Sequence, residues 1–314
     1  MKLPLDLDGA ALGEQLASAS LDAAQVDWAA VRRSAYLIHQ RISYRYEGPV
    51  RQLRQRLVVQ PRAQHGDQRR LRRHFEVLHA SPQRVADIVD GFGNHVVDIA
   101  IPVVPEEVTF ISWSVVERDA EHGPHLAASQ DLRDPRLLTP TRLTAADSDL
   151  RDLAQDLATT GIEQARLAEI VCARVHQEMR YQYDVTGIGT TAADAFRIRS
   201  GVCQDYAHVM LALTRELGMP SRYVSGQLVG SGGSHAWVEV LIPHSGGSAQ
   251  VISLDPTHNR LTDMTYLTVA VGRDYSDVAP LSGSYRAPYA GRLSTTKQVC
   301  VVSLDSDLQL ESSA

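Results

Sequence analysis

The segment GVCQDYAHVMLALTRELGMP (residues 201–220) constrains the fold most strongly, because it predicts one helix with a defined start and end. Apolar side chains recur along it at helical spacing, and Gly218 followed by Pro220 is a typical helix stop. Three strand-forming segments follow directly, RYVSGQLV, HAWVEVLI and VISLD. This order predicts an α+β protein in which the helix packs on an antiparallel sheet.

Three residues with the chemistry of a thiol enzyme lie in these segments. Cys203 stands at the predicted first turn of the helix, where free N–H groups and the positive end of the helix dipole favour a thiolate. His235 begins the second strand and Asp255 ends the third. A thiol activated by an imidazole that a carboxylate orients is the general arrangement for nucleophilic acyl transfer. Each residue alone would more commonly be structural, as we expect for Cys172 and Cys300, but together they predict a triad.

The spacing of His235 and Asp255 also predicts how they meet. Between their strands lies PHSGGSAQ, a loop rich in Gly and Ser that is typical of a hairpin. If the two residues are directly opposite, the numbers of every pair sum to 490 and the turn centres on Ser245, inside the loop. Opposite residues of an antiparallel pair have Cβ atoms about 4.5–5.5 Å apart. We therefore expect an imidazole–carboxylate hydrogen bond across the hairpin.

Three motifs carry a resemblance to a known family. GVCQDYAH, SHAWVEVLIP and LDPTHN resemble the core motifs of the bacterial transglutaminase-like superfamily, in its cysteine-protease branch. The later GRDYSDVAPLSG is similar to a segment that usually follows in that branch. The resemblance covers about residues 160–290, and the stretch 36–116 resembles the β-rich domain that accompanies this core. One position departs from the pattern, because Leu254 precedes Asp255 where an aromatic residue is common.

The resemblance implies a papain-like, transglutaminase-like catalytic core with Cys203 as nucleophile, His235 as general base and acid, and Asp255 as orienting carboxylate. It also implies a protein or peptide amide as substrate and a thioester that water or an acceptor amine resolves. The backbone N–H of Cys203 is the first expected oxyanion donor, and Tyr183 is our candidate for the second. We expect no cofactor and no metal, since the sequence has no HExxH, CxxC or EF-hand pattern.

The length predicts more than one domain. A chain of 314 residues exceeds the usual size of a single hydrophobic core. The helix-like AALGEQLA and LDAAQVDWAAVRRSA indicate an N-terminal extension, and the polar, Pro-punctuated RDAEHGPHLAASQDLRDPRLLTP indicates a linker. We expect a helical extension at 1–34, a β-rich domain at 35–117, a linker at 118–159, a catalytic domain at 160–304 and a tail at 305–314.

Arginine is concentrated in the predicted β-rich domain. Residues 32–84 hold 13 Arg against three acids, although the whole chain has a net charge of −6. Arginine alternating with Leu, Val or Phe is typical of strands with one solvated face. A face that docks an acidic partner protein is the alternative interpretation. A nucleic-acid partner is not expected, because no aromatic interleaving accompanies the charge.

Composition also predicts where the protein works. The sequence has no apolar run of transmembrane length, no signal-like start and only three scattered cysteines. We therefore expect a cytoplasmic protein without a membrane partner, where a catalytic thiol stays reduced. The rival to an enzyme is a non-catalytic protein-binding module that retains the fold, and the intact Cys–His–Asp set favours the enzyme.

Overall fold

The computed structural model describes residues 21–158, 161–230 and 232–306, which form an α+β protein as the sequence predicts. In chain order the strands are β1 (Val31–Arg45), β2 (Val50–Gln60), β3 (Gln64–His65), β4 (Gln68–Leu78), β5 (Arg84–Val89), β6 (His95–Val104), β7 (Glu107–Asp119), β8 (Leu126–Ala128), β9 (Arg180–Tyr181), β10 (Ser200–Gly201), β11 (Ser221–Leu228), β12 (Ser234–His244), β13 (Ser248–Asp255), β14 (Arg260–Leu261), β15 (Tyr266–Gly272), β16 (Leu281–Arg286) and β17 (Arg292–Ser306). The helices are α1 (Pro135–Leu138), α2 (Ser148–Leu157), α3 (Gln164–Glu178), α4 (Ala192–Ile198), α5 (Cys203–Glu216) and α6 (Tyr275–Val278), with 3-10 turns at Ala23–Gln25, Ala120–His122 and Ser129–Arg133. Within the described ranges, no helix is both long enough and apolar enough to cross a bilayer.

A β-sandwich forms the N-terminal part of the molecule. One sheet has the strand order β17-β1-β7-β4-β3, and the other has the order β16-β2-β6-β5. Their facing sides enclose a core in which Ile42 and Phe110 of the first sheet join Leu57 and Ile99 of the second. In the first half of β2, buried side chains alternate with exposed arginines, so this strand buries one face and solvates the other.

A further sheet outside the sandwich, which we call the site sheet, carries the candidate site. Its strand order is β14-β13-β12-β11-β15, and β8 pairs with β13 beside this path. Helix α5 packs on one face of this sheet, where Val209 and Leu213 belong to the same buried cluster as Ala236, Val238 and Val240 of β12. The predicted helix that packs on an antiparallel sheet is therefore confirmed, and its predicted start at Cys203 is confirmed as well.

Two side-chain amides of the sandwich bond to the backbone at the edge of the site sheet. Gln68 donates to the carbonyl oxygen of Thr268 at 2.7 Å and accepts from its N–H at 2.8 Å. Asn94 makes the same pair of bonds to Val271, at 2.7 and 2.8 Å. Buried backbone groups need partners, and an edge strand leaves a row of them unpaired. These amides therefore fix the edge strand β15 against the sandwich.

The end of the catalytic domain differs from the prediction. Residues 281–306 were expected to belong mainly to the catalytic domain at 160–304, but β16 pairs with β2 and β17 pairs with β1 over its whole length. The chain thus returns to the sandwich after β15, the last strand of the site sheet. A strand pattern shows that a segment is extended but carries no information on a partner more than 200 residues away, so the sequence could not assign it. Of the predicted tail at 305–314, residues 307–314 lie outside the described residues, and 305–306 end β17.

The helical extension and the linker also need correction. Residues 1–20 of the predicted extension lie outside the described residues, and 21–34 contain one 3-10 turn and the start of β1 rather than a helix. Trp28 stacks on Tyr36 with ring centroids 6.3 Å apart, so its apolar character serves packing on the sheet. The predicted linker at 118–159 contains β8, α1 and α2, and buries Leu137 and Leu150. Its prolines and acids begin these short helices instead of marking an unstructured connection.

Gly226→Ala should destabilise the protein by about 1–3 kcal/mol, the usual effect of overpacking a close contact. Gly226 lies in β11 where the ladder to β15 shifts register, and an added Cβ would lie 2.2 Å from the Trp237 ring and 2.3 Å from the Leu267 carbonyl oxygen. Gly189→Ala is the matched control, because its Cβ would meet nothing within 4 Å. Urea unfolding should separate the two variants, and equal free energies of unfolding would contradict this packing account.

Candidate active site

Cys203 occupies the first position of α5, with Val202 as the N-cap residue. The loop before it is held by Asp205, whose Oδ2 accepts the Val202 N–H at 2.8 Å and the Thr186 hydroxyl at 2.6 Å. Gly201 is required here, because a Cβ at this position would lie 2.4 Å from the same Asp205 oxygen. The thiol therefore sits, half-buried, at the N-terminus of α5, after a loop that Asp205 holds in place.

His235 and Asp255 are joined, although not in the predicted register. His235 Nε2 lies 2.7 Å from Asp255 Oδ2, and both side chains are buried. The paired residue numbers of β12 and β13 sum to 492 rather than 490, so the turn centres on Gly246 and not on Ser245. Gly246 and Gly247 both have positive φ, at 79° and 77°, which places the tight part of the turn one residue later than expected.

Direct opposition of His235 and Asp255 was therefore wrong, while the hydrogen bond was right. The ladder between β12 and β13 ends at the pair Val238 and Leu254, and Asp255 pairs with Arg260 of β14. His235 lies two positions beyond the point that the ladder would place opposite Asp255. Such diagonal neighbours share one face of a sheet at about 7–8 Å, which an imidazole and a carboxylate can span.

The Asp255 carboxylate accepts hydrogen bonds from several directions. Its Oδ2 accepts from His235 Nε2 at 2.7 Å, the Tyr266 hydroxyl at 2.6 Å and His258 Nδ1 at 2.7 Å. Its Oδ1 accepts the backbone N–H groups of Thr257 at 2.8 Å and His258 at 3.3 Å. Burial alone would raise the pKa of Asp255, but the donors, His235 foremost, hold that pKa well below its usual range. The carboxylate is therefore a permanent anion.

His235 is biased towards its charged form. Burial by itself would lower the pKa of His235, but hydrogen bonds and charge from Asp255 and Cys203 outweigh it and raise the pKa to about 9. The Cys203 thiol is therefore a neighbour of the His235 ring. At neutral pH His235 is therefore an imidazolium bonded to the Asp255 carboxylate.

Tyr266 and His258 belong to the site but were not predicted as part of it. Arg260 Nε donates to the Tyr266 hydroxyl at 2.8 Å and its guanidinium lies over the Tyr266 ring at 5.1 Å, so the hydroxyl is directed at Asp255. The ring of Trp237 packs edge-on against Tyr266 at 5.3 Å. His258 was visible in LDPTHN, three residues after Asp255, whereas Tyr266 lies in β15 and no local pattern connects it to the triad.

The predicted oxyanion donor Tyr183 is an exposed residue of the loop between β9 and α4. It is 69% exposed and packs edge-on against Tyr181 at 5.3 Å. Burial chiefly raises the pKa of Tyr181, and the hydroxyl of Tyr183 and the charge of Cys203 add to it, so Tyr181 lies beside the thiol. The role of Tyr183 stays a prediction, whereas the pKa values of both Tyr181 and Tyr223 are raised in part by the charge of Cys203, after burial.

Two clusters within the described residues bring three possible metal ligands within 4.8 Å of one another, which the spacing of the sequence did not show. The first, His235, Asp255 and His258, is the triad region itself. The second consists of His65, His125 and Glu239.

Cations already surround this second cluster. Arg222 bonds to Glu239 Oε2 at 2.6 Å, and Arg62 lies 3.0 Å from His65 Nδ1. With Arg62 donating to Nδ1, His65 donates from Nε2 to Glu239 at 2.7 Å. These two guanidinium groups oppose a further cation there. The cluster instead joins β3 of the sandwich to β12 of the site sheet.

Comparison with protein families agrees with this geometry. The family described as "Transglutaminase-like superfamily" matches residues 151–255, and the "Bacterial transglutaminase-like N-terminal region" matches residues 36–117. The chain belongs to the bacterial transglutaminase-like superfamily. The resemblance inferred from the three motifs is thereby confirmed, and the first match ends at Asp255.

Individual relatives extend the match over most of the chain. An uncharacterized protein of Mycobacterium leprae is 32% identical over 232 residues, 68% of this chain and 79% of that protein. The crystal structure of "a Putative Cysteine Protease" from Cytophaga hutchinsonii superposes with a TM-score of 0.69 at 21% identity, covering 87% of this chain and 92% of that one. A Pseudomonas aeruginosa protein-glutamine gamma-glutamyltransferase is 30% identical over 151 residues, 42% of this chain and 22% of that protein.

Cys203 should react with iodoacetamide much faster than Cys172 or Cys300 at neutral pH. Burial, followed by the charges of Asp255 and Glu169, raises the pKa of Cys172 to about 12, so that thiol stays protonated. Cys300 lies in strand β17, away from any helix N-terminus. Mass spectrometry of peptides from timed alkylation gives the three rates. Replacing the imidazole in His235→Ala should slow only the Cys203 reaction, and similar rates at all three cysteines would contradict an activated thiol.

Proposed function

We propose that this protein catalyses thiol-dependent acyl transfer or hydrolysis at a carboxamide or peptide bond. The observation that carries the proposal is the placement of one imidazole. His235 is bonded to the buried anion Asp255 at 2.7 Å and lies beside the thiol at the N-terminus of α5. A carboxylate, an imidazole and a thiol in that order are the parts that nucleophilic acyl transfer requires.

The first half of the proposed reaction forms a thioester. The Cys203 thiolate attacks the carbonyl carbon, and the backbone N–H of Cys203 together with Tyr183 stabilises the resulting oxyanion. The His235 imidazolium then donates its proton to the departing amine as the C–N bond breaks. Asp255 keeps the ring oriented and stabilises its positive charge, which the raised pKa of His235 reflects.

The second half of the proposed reaction returns the enzyme to its starting state. Water or an acceptor amine enters, His235 removes its proton, and the nucleophile attacks the thioester carbonyl. The C–S bond breaks and the thiolate leaves, so the acyl group departs as a carboxylic acid or a new amide. Each proton that His235 gives in the first half is thus recovered in the second.

We propose a protein or peptide amide as the acyl donor. The family supports a protein substrate in general, and the P. aeruginosa relative is named for the γ-carboxamide of protein-bound glutamine. A primary carboxamide releases ammonia, whereas a peptide bond releases a new N-terminus, so the released product distinguishes transglutaminase-like from protease activity. The cytoplasm is our proposed location, based on the sequence alone.

The acyl-enzyme is the direct test of this proposal. The protein would be mixed with a peptide library that contains glutamine, quenched in acid and digested, and the Cys203 peptide would be weighed by mass spectrometry. The mass added to Cys203 identifies the acyl group, and a labelled amine in a parallel reaction shows whether an amine resolves the thioester. Label on the peptide substrate supports transamidation, and cleaved peptides without label support hydrolysis.

The three proposed catalytic residues should differ in how much activity their loss removes. Cys203→Ala and His235→Ala should each abolish turnover, because these groups make and break bonds. Asp255→Ala should leave residual turnover, since Asp255 orients and charges the imidazole. Without that anion the pKa of His235 falls from about 9, so the alkaline limb of the pH–rate profile should move to lower pH. Full activity of Cys203→Ala would contradict the proposed mechanism, and the non-catalytic binding module would remain as the interpretation of the fold.

Turnover should not depend on calcium or another metal. Calcium takes six to eight oxygen ligands, whereas each three-ligand cluster within the described ranges offers two histidines and one carboxylate. Asp255 in addition already accepts five hydrogen bonds. Activity measured after EDTA treatment should equal that of the untreated protein, with and without added calcium. A loss on chelation that calcium restores would show that the reaction needs the ion.

A further inference from the structure

One outer face of the sandwich carries arginines that lack an acidic partner. The five are exposed and lie on three of the four strands of one sheet, with β6 between β2 and β5: Arg51, Arg54 and Arg56 on β2, Arg84 on β5 and Arg286 on β16. Within the part of the chain that the structure describes, none of the five forms an ion pair with a carboxylate. We call this set the arginine face.

In the other sheet of the same sandwich, several arginines form ion pairs with acids. Five of its arginines bond to acids: Arg33 to Asp119, Arg45 to Glu107, Arg69 to Glu117, Arg118 to Asp67, and Arg73 to Asp87 on β5 of the facing sheet. An ordinary solvated strand face would explain arginines of either kind. The arginine-rich sequence therefore contains arginines that an acid neutralises and, on the arginine face, five that form no such ion pair within the described residues.

The spacing of arginines along β2 matches the side-chain spacing of an extended peptide. Arg54 and Arg56 are two residues apart on β2, which separates them by about 6.8 Å along the strand. Arg54 and Arg84 both lie opposite Ala100 of β6, so they flank a small side chain across about two strand spacings, or roughly 9.6 Å. Carboxylates on alternate residues of an extended peptide have the first of these spacings, which matches the repeat along β2.

The face is concave as well as charged. One depression of about 350 Å³ is lined by Arg54, Arg56 and Arg84 around Ala100, and a second of about 480 Å³ lies beside Arg51 and Arg286. Asp98, next to Arg56 on β6, is the one acid that lines either depression. The adjacent β5 is an edge strand, which leaves backbone N–H and C=O groups able to pair with another extended segment.

The chemistry of the face favours a peptide over a nucleic acid. Surfaces that bind single strands combine positive charge with aromatic rings on which bases stack. The residues that line the two depressions include no aromatic side chain. Arginine forks match the planar carboxylate in two parallel hydrogen bonds, and small residues such as Ala100 and Gly283 leave room for a backbone.

We propose that the arginine face binds an extended acidic segment of a partner protein, with Asp or Glu at alternate positions. Its carboxylates would bond to Arg54 and Arg56 on one side and to Arg84 on the other. This binding is independent of the thiol chemistry, so it can hold or fail whatever the fate of the proposed reaction.

The test is a direct binding measurement on the full chain carrying Cys203→Ala, so that the probe cannot react. The probe is a fluorescein-labelled peptide of about ten residues that alternates Glu and Ser, and fluorescence anisotropy reports its binding. The neutral counterpart alternates Gln and Ser. Binding of the acidic probe should weaken as salt rises, because exposed charge pairs are screened. The neutral probe should not bind.

Matched variants locate the site. The double variant Arg54→Gln with Arg56→Gln should bind the acidic probe about three- to tenfold more weakly, the loss of affinity expected for two exposed ion pairs. The control, Arg166→Gln with Arg174→Gln on α3, removes the same charge from exposed arginines elsewhere and should leave the affinity unchanged. Arg84→Gln on a different strand should give a smaller loss, and it keeps the test open if the double variant does not fold.

Three results would overturn the proposal. The first is no binding of the acidic probe at low salt. The second is an equal loss in the β2 and α3 double variants, which would make the effect one of total charge. The third is tighter binding of a single-stranded oligonucleotide with the same number of charges, which would assign the face to nucleic acid.

Discussion

The buried charge of Asp255 is the interaction on which the rest of the site depends. An ionised carboxylate that is fully buried costs several kcal/mol in lost hydration, and it persists only when its oxygens are fully bonded. Here the donors come from β12, the turn after β13 and β15. The anion therefore exists only when these elements are assembled. Because Asp255 in turn charges His235, the ionisation of the imidazole is a property of the folded protein rather than of a local motif.

The sandwich supports this charge through its bonds to β15 and to the turn before it. Gln68 and Asn94 bond to the backbone of β15, and Tyr266 is the first residue of this strand. Arg118 of β7 donates to the carbonyl oxygen of Asp263, just before that strand, at 2.8 Å. Tyr266 then donates to Asp255 at 2.6 Å. The N-terminal sheets thus hold the backbone of the strand whose Tyr266 side chain bonds to the carboxylate, which gives a physical reason for the two parts to occur together.

The sequence could predict the local parts of this arrangement and not the distant ones. The helix that begins at Cys203 and the strands that carry His235 and Asp255 follow from periodicity and stop signals within short windows. The register of the hairpin was missed by one residue at its centre, because Gly246 and Gly247 allow the turn to tighten later in the loop. Tyr266 and the pairing of β17 with β1 depend on contacts between residues far apart in sequence. Such contacts arise from packing, and no single window of sequence contains them.

The same limit applies to charge, and it changes what the arginine-rich stretch means. A count of 13 arginines in residues 32–84 cannot show which of them meet an acid, because the acids arrive on other strands. Folding pairs Arg69 with Glu117 on the adjacent strand and Arg73 with Asp87 on the facing sheet, whereas Arg54 and Arg56 form no ion pair. A protein of net charge −6 thereby presents a local positive surface. Screening limits the reach of that surface to about 8 Å at physiological salt, so it can select a segment that lies on the sheet but cannot attract the whole of an acidic protein from a distance.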